Sequence, residues 1–359
     1  MKKILIIQHK MIGDVLICSL LCENIKKHLS NVQVDYLVNS NTLPVLENNP
    51  YIDNLIVFDE KEHKGLKKMI GFARKINQNQ YDVVIDAYSK LISWLTVFFN
   101  NAPKKISYKK RGRSFLYTHN IEKHFNPKSH LGLAIEHRLA LLQPLGIDNP
   151  TVHFPKLYVT EKEKQFAQVE FQKHGLHPQR KTVMISLLGS DETKTLPLAE
   201  MAKLVEYIGK NYEVNILFNY FPSQISQARQ VYDALSREVQ QKVFFDLLGD
   251  DLRAFIVIMD ACDLIVGNDG GAINMAKALE KPSFIVFSPW IEKKAWASFE
   301  DSINHVSTHL ADFMHEKLEG ISQKTIKKQV FEFYKFLTFE LFENQLKTFL
   351  NRHLGGIKN

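Results

Sequence analysis

Apolar and polar residues alternate along the chain in two series of short apolar runs separated by longer amphipathic stretches. In the first series, the apolar runs predict strands at 3–8, 33–38, 55–58, 82–86 and 105–107. In the second series, they predict strands at 182–186, 213–218, 242–247, 263–266 and 283–287. Strands separated by helical patterns are typical of βαβ units with a parallel sheet. The pattern therefore predicts an α/β protein with two doubly wound domains.

The stretches between the strands have the spacing of amphipathic helices, most clearly at 14–29, 64–76, 198–210, 222–234, 252–261 and 271–279. A polar segment separates the two series, so we predict one domain at 1–160 and a second at 161–320. The remaining segment, 321–359, is continuously helical in pattern from 324 to 350 and carries one apolar stripe. Packing of that stripe on one or both domains is the simpler interpretation, and a face lying against a membrane is the alternative.

The composition is that of a globular protein with an excess of basic residues. Of the 359 residues, 45% are hydrophobic and 24% are charged, which excludes disordered and fibrous classes. No apolar run approaches the ~18 residues of a membrane span, and the N-terminal run is too short for a secretory signal. Three cysteines do not make a disulfide framework, so we expect a cytoplasmic protein. The net charge of +7 allows nucleic acid, an anionic membrane or a phosphorylated substrate as partner.

The first candidate site follows the first predicted strand, where Gly13 and Asp14 open a helical pattern. In a doubly wound domain this loop lies at the carboxyl edge of the sheet, where ligands bind. A single glycine does not make the G-x-G-x-x-G fingerprint, so a nicotinamide or flavin enzyme is disfavoured. Two interpretations of Asp14 remain open, a helix N-cap and a carboxylate that accepts a proton.

Two further segments have the chemistry of anion binding. Residues 186–197 place Gly189, Ser190 and Lys194 before a helix, although the P-loop spacing is absent and a solvated lysine is the alternative. Residues 264–279 run from an apolar strand through Asp269, Gly270 and Gly271 into a small-residue helix. Glycines allow close approach of a ligand, and the helix N-terminus favours an anion. A diphosphate with an attached sugar suits this segment, and a turn capped by Asp269 is the alternative.

Together these segments resemble glycosyltransferase family 9, the ADP-heptose:lipopolysaccharide heptosyltransferases. That family has Gly-Asp after the first strand, a Lys-x-Trp-Pro block opening the second domain, and a D-[ST]-G-x-x-H-x-A-x-A-L segment. Residues 13–14, 194–197 and 269–279 match these motifs in order and spacing, and the similarity covers roughly residues 1–310. The blocks at 49–53 and 81–86 also look like the family's first domain.

The resemblance implies a GT-B fold: two Rossmann-like domains facing each other across a cleft, with the C-terminal helix packing back on the first. It implies acceptor binding by the first domain and donor binding by the second. Carried over by position, Asp14 matches the general base of an inverting transfer, and Lys194 matches the contact to the donor phosphates. The expected donor site further contains Ser190, Asp269, Gly270, Gly271 and Asn274.

The acceptor is expected to be a phosphorylated glycolipid of the lipopolysaccharide core type at the cytoplasmic face of the inner membrane. Its expected contacts are Gly13 and the basic residues Lys109, Lys110, Arg111 and Arg113. These four belong to a stretch, 104–113, with six basic residues and no acid. A solvated face is the ordinary role of such a run, whereas a phosphorylated acceptor at a membrane would use it.

The sequence departs from the family pattern at three positions. Leu196, Gly270 and Asn274 stand where the family has Trp, Ser or Thr, and His. An amide donates a hydrogen bond to phosphate but carries no charge, so the transferred sugar could be heptose or a related sugar.

Three functional hypotheses follow from the sequence. The first is an inverting glycosyltransferase without metal or other cofactor, because a D-x-D motif and zinc-ligand spacings are absent. The second is a catalytically impaired sugar-nucleotide or glycan-binding module of the same fold. The third, a nucleic-acid-binding protein, is disfavoured because the sequence has no recognition helix, RRM signature or zinc ligands.

Overall fold

The computed structural model describes residues 1–129 and 131–356 and divides the chain into two compact units. The first unit is Met1–Tyr158 and the second is Val159–Asn359. Each contains one six-stranded parallel sheet flanked by helices. The α/β class predicted from the alternating pattern is therefore confirmed.

The first unit has the strands β1 (Lys2–Ile7), β2 (Val32–Asn39), β3 (Asn54–Phe58), β4 (Val83–Asp86), β5 (Lys104–Tyr108) and β6 (His119–Ile121). Its helices are α1 (Ile12–Cys18), α2 (Leu20–His28), α3 (Leu66–Asn77), α4 (Leu91–Phe98) and α5 (Leu133–Ala140). Short 3-10 helices lie at Ser40–Val45, Ser114–Leu116 and Gln143–Leu145. The strand order is β3-β2-β1-β4-β5-β6.

Central strand β1 is apolar because both faces of a parallel sheet are covered by helices. Its residues Ile4, Leu5, Ile6 and Ile7 are completely buried. The chain runs outward from β1 through β2 to β3, then returns to β4 on the other side. The direction of winding therefore reverses between β1 and β4, and ligands of doubly wound sheets bind at such a reversal.

The second unit has the strands β7 (Lys181–Ser186), β8 (Val214–Asn219), β9 (Val243–Phe244), β10 (Leu264–Asn268), β11 (Ser283–Val286) and β12 (His305–Thr308). Its helices are α6 (Glu161–Lys173), α7 (Leu198–Asn211), α8 (Ile225–Asp233), α9 (Arg237–Gln240), α10 (Leu252–Asp260), α11 (Gly271–Ala278), α12 (Lys293–Trp296), α13 (Gln323–Lys328), α14 (Val330–Tyr334) and α15 (Phe339–Leu354). Short 3-10 helices lie at Glu192–Lys194, Pro222–Gln224, Leu310–Asp312 and His315–Lys317. The order β12-β11-β10-β7-β8-β9 reverses between β7 and β10.

The C-terminal segment differs from its prediction in two ways. It is not one continuous helix, because the chain leaves helical geometry between α13, α14 and α15. It also belongs to the second unit. Phe342 and Phe349 of α15 lie against Phe284 of β11, with ring centroids 6.2 and 5.8 Å apart. The expectation that this helix packs back on the first domain is therefore wrong: its apolar stripe completes the core of the second unit.

The sequence pattern located the interior strands but missed two at sheet edges. All ten predicted strands overlap observed ones, although β9 is only two residues long. Strands β6 and β12 were not predicted. Both are short and carry histidine and other polar residues, and an edge strand needs no continuous apolar run because its outer side is unpaired.

Candidate functional site

In the first unit the candidate site is built around Asp14. This residue lies in the first turn of α1, directly after β1 and beside the strand reversal. The N-cap of α1 is Met11, so the N-cap interpretation of Asp14 is wrong. Arg138 of α5 donates a hydrogen bond from Nη2 to Asp14 Oδ1 over 2.5 Å. The ion pair fixes one carboxylate oxygen and orients the other.

Two more groups of the first unit surround this ion pair. Lys123 lies over the ring of Tyr108, with its Nζ 4.0 Å from the ring centroid. Burial lowers the pKa of Lys123, and the charge of Arg138 lowers it further, while Asp14 opposes this change. Burial lowers the pKa of Arg138, but the nearby Tyr108 and Asp14 raise it by more, so the pKa of Arg138 is raised overall. The carboxylate thus lies among cationic groups.

Some polar atoms of this cluster have no partner inside the protein. Among the described residues, the Tyr108 hydroxyl and Arg138 Nε are buried without a hydrogen bond. Leaving such groups unsatisfied costs free energy, so a polar ligand or water that bonds them is stabilised. The cluster around Asp14 therefore keeps hydrogen-bonding capacity that the described residues do not use.

The four basic residues expected to contact the acceptor, at 109–113 of the first unit, lie in different environments. Lys109 forms an ion pair with Glu122 at 2.5 Å. Lys110 and Arg113 lie on the ring of Trp94, with Lys110 Nζ 5.9 Å and Arg113 Cζ 3.5 Å from its centroid. Arg111 is exposed. Because Lys109 is neutralised locally, Lys110 and Arg113 are the better candidates for an anionic ligand.

In the second unit the loop after β7 is tied to the end of β10 by Asn268. Its Oδ1 accepts from the Leu196 amide at 2.7 Å, and its Nδ2 donates to the Leu187 carbonyl at 2.8 Å. No residue with a Cβ fits at position 189 of this loop, because the Cβ would collide with the Lys194 carbonyl. Gly189 is therefore required there. This buried side chain and this glycine set the path of the loop that carries Lys194.

The residue before Lys194 is fastened by three donors. The Thr193 carbonyl accepts from Ser288 Oγ at 2.6 Å, from Trp290 Nε1 at 2.9 Å and from the Tyr334 hydroxyl at 3.4 Å. Lys194 is half-exposed, and its Nζ lies 5.6 Å from the centroid of the Trp290 ring. Lys194 is therefore held on an aromatic surface rather than extended into solvent.

Ser190 lies in the same loop but is turned toward its neighbour. Its hydroxyl donates to Asp191 Oδ2 at 3.4 Å, and the residue is exposed. This long bond leaves the hydroxyl able to rearrange toward a ligand.

Asp269 and the two glycines that follow it lie between β10 and α11. The N-cap of α11 is Gly270, without a side-chain cap, so the interpretation of Asp269 as a cap is wrong. Burial raises the pKa of Asp269, while the charges of Lys194 and Lys277 oppose this rise. Gly271 is the first residue of α11, and Asn274, one turn on, donates from Nδ2 to the Gly270 carbonyl at 3.3 Å. The segment therefore offers a largely buried carboxyl beside a helix N-terminus and two lysines.

Lys277 was not singled out from the sequence. It is buried in α11 and donates to the Ser298 carbonyl at 2.6 Å. Burial lowers its pKa to about 8, although Asp269 opposes the shift. A buried ammonium beside the Asp269 carboxyl adds positive potential to this end of the sheet.

Two of the predicted residues in the first unit, and most of those in the second, lie at the strand reversal. In the first, Gly13 and Asp14 do so; in the second, Lys194, Asp269, Gly270, Gly271 and Asn274 do so. The sequence reasoning missed Arg138, Lys123, Asn268, Trp290 and Lys277. Only Asn268 and Trp290 had a usable signal, since Asn268 ends an apolar strand and Trp290 comes shortly after the next one, at the carboxyl edge of the sheet.

The described residues contain no helix long and apolar enough to cross a membrane. Over the same part of the chain, no cluster of three or more His, Cys, Asp or Glu side chains is placed to hold a metal ion.

Two doubly wound parallel sheets with polar side chains at their reversals are the architecture of GT-B glycosyltransferases. Residues 69–324 match the profile of Glycosyltransferase family 9 (heptosyltransferase). The chain belongs to this family and is a glycosyltransferase.

Relatives and solved structures agree with this assignment. Lipopolysaccharide heptosyltransferase 1 of Campylobacter coli is 25% identical over 299 residues, covering 79% of this chain and 83% of that protein. The crystal structure of a family 9 glycosyl transferase from Veillonella parvula has a TM-score of 0.74 at 17% identity, covering 96% of this chain and 97% of the other. The E. coli heptosyltransferase WaaC with ADP-2-deoxy-2-fluoro heptose has a TM-score of 0.63 at 16% identity, covering 92% and 99%.

Proposed function

We propose that this protein is an inverting heptosyltransferase that transfers heptose from ADP-heptose to a lipopolysaccharide core-type acceptor. The observation that carries the proposal is the placement of Asp14 at one strand reversal and of Lys194 with Asp269 at the other. The names of the family and of the C. coli relative support the reaction. The ADP-heptose analogue in the WaaC structure supports the donor.

In the proposed mechanism, the first unit binds the acceptor and the second unit binds the donor. Asp14 Oδ2 takes the proton from an acceptor hydroxyl as its oxygen attacks the anomeric carbon. The bond from that carbon to the diphosphate breaks, and the configuration inverts. Arg138 orients the carboxylate through its contact with Oδ1. General-base help of this kind contributes ~10²–10⁴-fold to the rate.

The leaving diphosphate is proposed to be stabilised in the second unit. Lys194, the helix N-terminus at Gly270 and Gly271, and the more distant charge of Lys277 place positive potential where negative charge develops. Asp269 then accepts hydrogen bonds from hydroxyls of the sugar or nucleotide. No metal ion or other cofactor takes part, so EDTA is expected to leave turnover unchanged.

We propose further that the protein works at the cytoplasmic face of the inner membrane. Lys110 and Arg113, presented on Trp94, contact phosphates of the glycolipid acceptor or of the membrane. Anionic surfaces attract such residues by about 1 kcal/mol each.

The deciding experiment is a transfer assay with the full chain, read by mass spectrometry and by NMR of the new linkage. ADP-heptose and ADP-, UDP-, GDP- and CDP-hexoses are offered with truncated lipopolysaccharide core acceptors. The expected result is addition of one heptose with inverted configuration. Binding of a nucleoside diphosphate without transfer to any acceptor would instead favour the impaired binding module, and transfer from a hexose donor would overturn the proposed donor.

A further inference from the structure

The C-terminal segment contributes directly to the loop that carries Lys194. Tyr334 of α14 donates to the Thr193 carbonyl, one of the three bonds that fasten this loop. Residues 325–356 lie outside the part of the chain that matches the family profile. The C-terminal segment therefore helps to support the loop that carries Lys194.

The same segment brings a second cation to the ring on which Lys194 lies. Lys327 of α13 is exposed, and its Nζ lies 4.1 Å from the centroid of the Trp290 ring, compared with 5.6 Å for Lys194. An indole attracts an ammonium group by roughly 0.5–1 kcal/mol at an exposed site, and so it can hold two like charges near one another.

Asp191 shows that both lysines act on the same place. Burial opposes its ionisation, but hydrogen bonds from Thr193 and the charges of Lys327 and Lys194 lower its pKa overall. Both ammonium groups therefore act on one carboxylate, which places Lys327 in the same electrostatic neighbourhood as the lysine expected to contact the donor phosphates.

A diphosphate needs more positive charge than Lys194 alone supplies. Asn274 is uncharged, and its amide donates to the Gly270 carbonyl of its own helix. Lys277 is buried and bonded to the Ser298 carbonyl. Of these groups, Lys327 is the one that is exposed, charged and within reach of the same aromatic ring.

We propose that Lys327 is a second phosphate-binding residue of the donor site, positioned by Trp290 and supplied by the C-terminal segment. The inference rests on the proposed function only in taking Lys194 as a contact to the donor phosphates. It identifies the ligand group as the diphosphate, so the contribution of Lys327 is independent of the base and of the sugar.

The test compares Lys327→Gln with Lys328→Gln, an exposed lysine at the next position of the same helix. Affinity of the full chain for ADP, UDP, GDP, CDP and adenosine is measured by calorimetry at low and high salt. Lys327→Gln should weaken the preferred diphosphate about 10-fold at low salt, the scale of one charged hydrogen bond, and less at high salt. Adenosine binding should be unchanged, and so should every affinity of Lys328→Gln.

Two more variants separate this inference from the proposed function. Lys327→Arg retains the charge and the aromatic contact, so it should bind the diphosphate as the wild type does. Lys194→Gln should weaken the diphosphate more strongly. If Lys194→Gln loses affinity while Lys327→Gln does not, the role of Lys327 is wrong and the donor site stands. If the wild type binds no diphosphate, or Lys194→Gln binds normally, the proposed donor site and this inference both fail.

Discussion

In both units an acid comes after a central strand at the sheet reversal, and two basic side chains lie on a tryptophan of the same unit. The surroundings of the two acids differ. Asp14 is in an ion pair with Arg138 and partly accessible, whereas Asp269 has no ion pair among the described residues, and burial raises its pKa. The first arrangement holds the carboxylate in one orientation, as the proposed base requires. The second suits a carboxyl that exchanges hydrogen bonds with a bound sugar nucleotide, so a similar topology gives the two acids the different surroundings that their proposed roles require.

The largest predicted effect tests the role assigned to the first unit. Asp14→Asn keeps the shape but removes the base, so turnover should fall ~10²–10⁴-fold while nucleoside diphosphate affinity is unchanged. Transfer kinetics and calorimetry measure the two quantities. Asp148→Asn, an exposed acid of the same unit, is the control and should have no effect. Normal turnover in Asp14→Asn would remove Asp14 from catalysis.

The next prediction concerns the buried charge of the second unit. The pKa of Lys277 in the folded protein is about 8, below its ordinary value of 10.5. Between these values the unfolded chain binds more protons, so stability rises with pH. From pH 7 to 10.5 the free energy of unfolding of the wild type should rise by up to about 3 kcal/mol relative to Lys277→Met.

Urea denaturation at several pH values measures this difference. Lys324→Met replaces an exposed lysine of the same unit and should show no such trend. A pH-independent difference between wild type and Lys277→Met would mean that Lys277 is not buried as a titrating ammonium.

A smaller effect is expected at the basic side chains on Trp94. Replacing both Lys110 and Arg113 by Gln should weaken binding to anionic phospholipid vesicles about 30-fold, at about 1 kcal/mol for each charge. Cosedimentation with vesicles measures this, and nucleotide affinity should not change. Lys109→Gln is the matched control, since Lys109 is paired with Glu122. Equal vesicle binding by all variants would leave this run as a solvated face.

The smallest predicted effect is at Gly270, where the family has Ser or Thr. A Cβ at this position meets no heavy atom within 4 Å, and the backbone φ of 172° is extended. Gly270→Ser should therefore change the free energy of unfolding by no more than about 0.5 kcal/mol. Its affinity for ADP-heptose, compared with that of the wild type, shows whether the missing hydroxyl contributes to donor choice. A large loss of stability would mean that the loop is more tightly packed than described.

The features that could be predicted from the sequence are those that depend on local pattern, such as the interior strands. Asp14 and Asp269 were predicted as site residues because each comes after an apolar strand at the carboxyl edge of a sheet, where ligands of doubly wound domains bind. Arg138 was not found, because its partner Asp14 is 124 residues away and no spacing rule connects them. The surface against which α15 packs was not predicted for a similar reason. An apolar stripe indicates that one face of a helix is buried, but it does not indicate which surface covers that face.

The place of α15 also affects how the protein is made. During translation, all six strands of the first unit are synthesised before β7. The second unit must instead wait for residues 339–354, because Phe342 and Phe349 cover the apolar face of β11. During that interval Phe284 remains open to water and to other nascent chains. Translation of α15 is thus the step that ends the exposure of this apolar face to aggregation.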